Sequence, residues 1–363
     1  MEKDRLTNLL QAYRNASQEF HATSYWAAYE EQIMETIKSI DLNQLRSGKY
    51  PYLATFGFND VIYFYHPNLP FPRKVILKLF HKYVLKNRRI LPYGINVSDI
   101  RDLSYQHCNL LGKLSNAEPI SSIEVSTFGN PKDLFEVNGK KYTMPFLNYY
   151  ARYCFANKHV AFKDKEIVVE LGSGSGYQIE VLKKLHPHIT VLCFDLPAQI
   201  YLCESYLSQA LGKENIVGTE ETLMWKNLSN LQKGRVHCFG NWQIPLIKEL
   251  KFDVFWNAAS FGEMEPNIVA NYLSYIEGNV QWIYLLQARH GKEISGKAHV
   301  AKQTTFDNYV SMLPDFNLWE EHDAWQAYKK LSEAGGYFEA IWKNKFDVKI
   351  GREDKNSYKR SDR

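Results

Sequence analysis

Residues 167–177 read IVVELGSGSGY: a short apolar run runs directly into glycines at 172, 174 and 176, and a helical pattern follows. Small residues at the carboxyl end of a strand let a ligand approach the backbone closely, and this happens most often at a central strand of an open parallel sheet. An acidic residue, Asp195, closes the next strand-like run nineteen positions beyond Gly176. A carboxylate so placed can accept hydrogen bonds from both hydroxyls of a ribose.

The rest of the chain from residue 145 fits that frame. Strand-like runs recur at 167–171, 189–194, 235–239, 252–258 and 280–286, with amphipathic helical patterns between several of them. Ile200, Cys203, Leu207, Ala210 and Leu211 mark one helical face, and Ile268, Tyr272, Leu273 and Ile276 another. Repeated strand–helix units predict a parallel sheet with helices on both faces. Segments 317–322 and 337–343 are candidate closing strands. Upstream, residues 1–40 read as helical, and 61–65 is a β-like run. A further amphipathic helix carries Ile76, Leu79, Phe80, Tyr83 and Val84, with Lys74, Lys78 and Lys82 on its opposite face. Asn138-Gly139 suits the tight turn of a hairpin. The expected organisation is a mainly helical region over 1–130, an α/β Rossmann-like domain over 131–348, and a polar, disordered tail over 349–363.

Composition narrows the class. With 363 residues, 45% hydrophobic and 23% charged, the chain has the profile of a soluble globular protein with a sizeable core. A net charge of +4 over this length gives no electrostatic case for nucleic acid. No signal peptide or membrane span is expected. Cys108, Cys154, Cys193, Cys203 and Cys238 show no C-x-x-C pairing and read as reduced, buried thiols of a cytoplasmic protein. Oligomeric state stays open.

The glycine spacing and its neighbours discriminate between ligands. A dinucleotide site favours G-x-G-x-x-G, which sets a helix N-terminus on a pyrophosphate. Here the spacing is G-x-G-x-G, and Glu170 stands two residues before the first glycine. A carboxylate there would repel a pyrophosphate but attract the ammonium of a methionine moiety. The charge logic therefore favours S-adenosylmethionine (SAM). A nicotinamide-dependent reductase or epimerase is the rival, and it also lacks an obvious Y-x-x-x-K pair. A binding protein that keeps the fold without the chemistry would have no need of Glu170, the glycines and Asp195 together.

The segments VVELGSGSGYQ, FDLPAQ, HCFGNWQIP and FDVFWNAASFGEM resemble the motifs of class I SAM-dependent methyltransferases. As a set, together with STFGNPKDLFEVNGKKYTMPFLNYY upstream, they resemble the sugar O-methyltransferases found among bacterial surface-polysaccharide genes. The likeness spans about residues 120–345. It implies that Glu170, Gly172, Ser173, Gly174 and Gly176 hold the methionine end of the cofactor. It implies also that Asp195 holds the ribose while Leu196 packs on the adenine. Gly240, Asn241 and Trp242 match the position where related enzymes contact adenine; Asn241 stands where many relatives carry Asp and still offers a carbonyl acceptor. The implied acceptor is a sugar, free, nucleotide-linked or within a glycan. A phenolic or polyketide-type small molecule is the enzymatic alternative.

Methyl transfer to a hydroxyl calls for a general base or a metal. Glu263, after the fourth strand, is the first candidate base and His290, after the fifth, the second. Asn257 and Ser260 are expected to line the same pocket. A divalent ion is compatible with the acidic residues nearby, but no ligand spacing stands out. His237, inside an apparent strand, reads as a packing histidine. The lysine stripe reads as a solvated helix face, with attraction for an anionic acceptor as its functional alternative.

Overall fold

The computed structural model describes residues 2–50, 53, 57, 72, 75, 76, 97–295, 299–324 and 336–348. The β-like run at 61–65, the lysines of the basic stripe and the tail at 349–363 lie outside the described residues.

Eight strands form one mixed sheet in the order β5-β6-β4-β3-β7-β8-β10-β9. They are β3 (Ile167–Leu171), β4 (Thr190–Asp195), β5 (Ile216–Val217), β6 (Val236–Gly240), β7 (Phe252–Ala258), β8 (Val280–Ala288), β9 (Phe316–Asp323) and β10 (Tyr337–Asn344). The strands from β5 to β8 pair in parallel, whereas β10 runs antiparallel to both β8 and β9. This is a Rossmann-like sheet, parallel at its centre and closed by an antiparallel pair at one edge. Its central strands are buried on both faces, which is why they read as unbroken apolar runs without alternation. Side-chain alternation still decides which core each residue joins: Val168, Val191 and Cys193 face one cluster, while Val169, Leu171, Leu192 and Phe194 face the other. The two-residue edge strand β5 is not expected from sequence, because so short a run carries no periodicity.

The hairpin forms as expected, with β1 (Phe135–Val137) paired to β2 (Lys140–Tyr142). Asn138 and Gly139 supply φ values of 51° and 78° at its turn. It leads into a helix, Met144–Val160, whose first turn is capped by Thr143, its hydroxyl accepting from the Phe146 amide at 3.3 Å. That helix ends where Ala161 adopts φ 54°.

Residues 1–40 are not one helical run. Helix α1 (Glu2–Arg14) and helix α2 (Ser24–Lys38) are separated by a strap with a single 3₁₀ turn at Gln18–Phe20. Helix α1 packs on Pro197–Ala210, where Arg5 pairs with Glu204, donates to Ser205 Oγ at 2.6 Å and sits 4.4 Å over the Tyr201 ring. Arg46 is fully buried between the rings of Tyr177 and Tyr206 and donates to the carbonyl oxygen of Ser126. Leu6, Leu9, Ile33, Ile37 and Leu45 share a single core cluster with Leu202 and Cys203 of the sheet's covering helix. The five cysteines are free and buried. His237 is a core residue: its Nε2 accepts from the Gln232 amide at 3.0 Å, and burial pulls its pKa down to about 4. No helix among the described residues is long and apolar enough to cross a membrane.

Candidate active site

The carboxyl ends of β3, β4, β6 and β7 open into a cavity of about 280 Å³. Of the residues singled out from sequence, Glu170, Gly172, Ser173, Gly174, Asp195, Leu196, Asn241, Ser260 and Glu263 line it.

The glycine loop is shaped by contacts that exclude larger residues. Gly172 has φ 78°, and a Cβ there would lie 2.4 Å from the side chain of Ser260. Gly176, with φ 76°, faces Leu207 and Cys203 instead of the cavity, so it serves helix packing. Asp195 ties the loop to the next strand: Oδ2 accepts from the Gly174 amide at 2.7 Å and Oδ1 from the Leu196 amide at 2.8 Å. Burial raises its pKa to about 6, and those two amides restrain the rise. Each oxygen keeps a second acceptor site.

Glu170 is buried in the cavity wall, and its Oε2 has no hydrogen-bond partner. Burial, with the charge of Asp195 adding to it, holds this carboxyl well above the usual range, while Arg152 opposes. Arg152 lines the same cavity from the helix Met144–Val160, and its Nε is buried and unpartnered. A carboxylate beside a guanidinium complements an aminocarboxylate zwitterion.

The opposite end is built around Asn241. Its Nδ2 donates to the carbonyl oxygen of Phe20 at 2.6 Å and to Tyr272 Oη at 2.8 Å, leaving Oδ1 buried without a partner. Gly240 is required here because a Cβ would overlap the Trp242 ring at 2.2 Å. Trp242 itself stands outside the cavity wall. It packs 5.5 Å from the ring of Tyr13, so its expected contact with adenine is corrected to a packing role.

Beyond β7, Ala259 takes φ 63° and turns the chain so that Ser260 and Glu263 reach the cavity. Burial raises the Glu263 pKa to about 7; Lys292, whose Nζ is 3.7 Å from Oε1, opposes that rise, and Asp195 adds to it. Asn257 does not line the cavity. It is fully buried, donates to Leu171 O at 2.7 Å and accepts from Phe261 N and Gln287 Nε2, so it braces the loop that carries Glu263. His290 is exposed and outside the wall. Gly291, at φ 74°, reverses the chain after it, and it is Lys292 that approaches Glu263.

The sequence reading missed the strap. Phe20, His21, Ala22, Thr23 and Trp26 form part of the cavity wall, Thr23 Oγ1 donates to the Glu263 carbonyl at 3.0 Å, and the Trp26 side chain restrains the rise in the Glu263 pKa. The available signal was the break in helical periodicity near Ser17. Arg152 was missed as well, since a lone arginine within a helical pattern carries no local mark.

No family model matches the chain, and no curated protein matches its sequence. Solved structures do match. The chain is similar to the mitomycin 7-O-methyltransferase MmcR at 9% identity, covering 89% of this chain and 69% of that one, with a TM-score of 0.37. It is similar to an O-methyltransferase family protein from Burkholderia thailandensis at 12% identity, with 88% and 93% coverage and a TM-score of 0.39. A third is magnesium protoporphyrin IX methyltransferase ChlM from Synechocystis PCC 6803 with bound S-adenosylhomocysteine, at 9% identity, 75% and 99% coverage and a TM-score of 0.35.

Proposed function

We propose that this chain is a SAM-dependent O-methyltransferase acting on a small hydroxyl-bearing acceptor. The observation that carries the reading is a set of orphaned buried polar atoms in one cavity wall: Glu170 Oε2, Arg152 Nε and Asn241 Oδ1. Buried polar atoms are rarely left unpaired, because each costs about 1–3 kcal/mol. Their chemistry matches SAM: an acceptor for its ammonium, a donor for its carboxylate and an acceptor for the adenine amino group. Asp195 adds acceptors for the ribose hydroxyls. When bound, the cofactor supplies an electrophilic methyl on a sulfonium.

The chain supplies the rest. Glu263 is placed to accept the acceptor's hydroxyl proton, and a pKa of about 7 keeps a large ionised fraction at neutral pH. Thr23 and Asn257 fix the backbone that carries it. The resemblance to sugar O-methyltransferases supports a sugar hydroxyl as acceptor. A phenolic or polyketide-type hydroxyl is the second reading. It is favoured by the wall beside Glu263, where Trp26, Met264, Ile268 and Tyr272 are apolar or aromatic. A phenol near pKa 10 also lies closer to the range of this base.

Calorimetry with S-adenosylhomocysteine and with NADH tests the cofactor. Micromolar binding of the first alone is the expected result, and binding of NADH alone would overturn the reading. Transfer of radiolabelled methyl from SAM to neutral sugars, nucleotide sugars and simple phenols then separates the acceptor classes.

A further inference from the structure

Glu263 is gripped by residues from two distant stretches of chain. Trp26, in α2, lines the same cavity and favours its ionised form, and Lys292, beyond β8, brings Nζ to 3.7 Å from Oε1. The ammonium is itself held: Nζ donates to Tyr337 Oη at 2.8 Å and lies 5.8 Å from the Tyr25 ring centroid. The Lys292 carbonyl accepts from Gln303 Nε2 at 2.8 Å, so the loop bearing it folds back on itself.

We propose that Lys292 is a positioning residue that keeps Glu263 ionised and fixed at the cavity wall, with Tyr337 aiming the ammonium. The assignment of Glu263 as base rests on the reading above; the coupling of the two side chains does not. Glu263 lies in a buried site that also holds Asp195, and both burial and that neighbouring charge disfavour its ionised form. Lys292 is the counterweight. Burial pulls its pKa down, but Glu263 and Tyr337 outweigh burial and keep it a cation. The charged and titratable groups acting on the pair are thus Asp195, Tyr25 and Tyr337. In the proposed reaction Glu263 would take the acceptor's O–H proton and become a neutral carboxylic acid, while a bound cofactor would supply the methyl that replaces that proton on the oxygen. Lys292 stays protonated throughout and does not touch the reacting atoms.

The test needs neither cofactor nor acceptor. The full-length protein is labelled with carboxyl-¹³C glutamate, and the Glu263 resonance is assigned by its loss in Glu263→Gln. Its titration is then followed in wild type, Lys292→Met, Lys292→Arg and Tyr337→Phe. Removing an opposite charge at this distance raises a carboxylate pKa by about 1–3 units, so Lys292→Met should move the midpoint up by at least about one unit. Lys292→Arg should restore most of it, and Tyr337→Phe should shift it upward by less. An unmoved midpoint in a folded Lys292→Met protein overturns the proposal. If that variant fails to fold, an unmoved midpoint in Tyr337→Phe does so. A shifted midpoint in a chain that does not bind S-adenosylhomocysteine would sink the cofactor reading and leave the coupling standing.

Discussion

The side-chain amide of Asn241 donates to the carbonyl oxygen of Phe20 at 2.6 Å, so the loop after β6 and the N-terminal strap make one wall of the cavity. From sequence, asparagine and aspartate look interchangeable at position 241. The structure separates them. Asn241→Asp removes both donor bonds and sets a carboxylate against a carbonyl oxygen. S-adenosylhomocysteine should bind about tenfold more weakly, in keeping with the loss of one or two buried hydrogen bonds. Amide exchange over residues 18–26 should accelerate. Wild-type affinity with unchanged exchange would show that the strap does not depend on this contact.

In the proposed site, Arg152 is the donor for the ligand's carboxylate. Arg152→Met should weaken S-adenosylhomocysteine by tenfold or more, as expected for a charge-assisted pair, yet leave 5′-methylthioadenosine, which lacks that moiety, nearly unaffected. Equal losses for both ligands would place the arginine's effect in the fold and not at the ligand.

The pH dependence has a definite sign. The folded-state pKa of Asp195 is raised to about 6 and that of Glu263 to about 7, and Glu170 is raised as well. Carboxyls raised on folding contribute stability that is present below their unfolded values near 4 and is lost as pH climbs through the folded values. The apo protein should therefore lose this contribution between about pH 4 and 7. A ligand ammonium prefers ionised Glu170, whose carboxyl is held well above the usual range, so S-adenosylhomocysteine affinity and its thermal protection should rise with pH. Calorimetry at pH 5.5, 6.5 and 7.5 reads this directly, and a flat affinity would count against Glu170 as the ammonium's partner.

Glu263→Gln should lower turnover by about 10² or more with cofactor affinity intact, the size expected of a lost general base. His290→Ala should turn over like wild type, because the imidazole is exposed and outside the cavity. The reverse pattern would move the base to His290.

Gly172→Ala places a Cβ 2.4 Å from Ser260 at a φ of 78°. Strain of this kind costs about 1–3 kcal/mol, so the variant should melt several degrees lower and bind cofactor poorly. Ser260→Gly in the same background should recover part of both, and its failure to do so would assign the loss to backbone strain alone.

The sheet was legible because buried parallel strands leave unbroken apolar runs and the glycine loop has backbone demands that only glycine meets. Glu170 and Asp195 were legible for the same reason: their positions are counted from that loop. The acceptor side was not. Glu263 could be picked as a carboxylate after β7, but its neighbours Trp26 and Lys292 come from a helix near the start of the chain and a loop near its end, with no shared local pattern. His290 attracted attention by its chemistry. The single reversal at Gly291 decides which side chain of that loop meets Glu263, and one glycine in a loop does not announce its direction. Asn257 sits at the expected strand end, but the Phe261 amide and Gln287 saturate it.

The strap also sets the order in which the molecule can be completed. Arg5 meets Glu204, Phe20 meets Asn241 and Thr23 meets Glu263, at sequence separations of 199, 221 and 240 residues. On the ribosome, residues 5–23 emerge long before any of these partners exists, at a synthesis rate of about 5–20 residues per second. Helices α1 and α2 must wait many seconds with their apolar faces uncovered, and the site closes only after most of the sheet has been translated. Such non-local pairing slows folding and leaves this stretch exposed to chaperones and proteases in the interval.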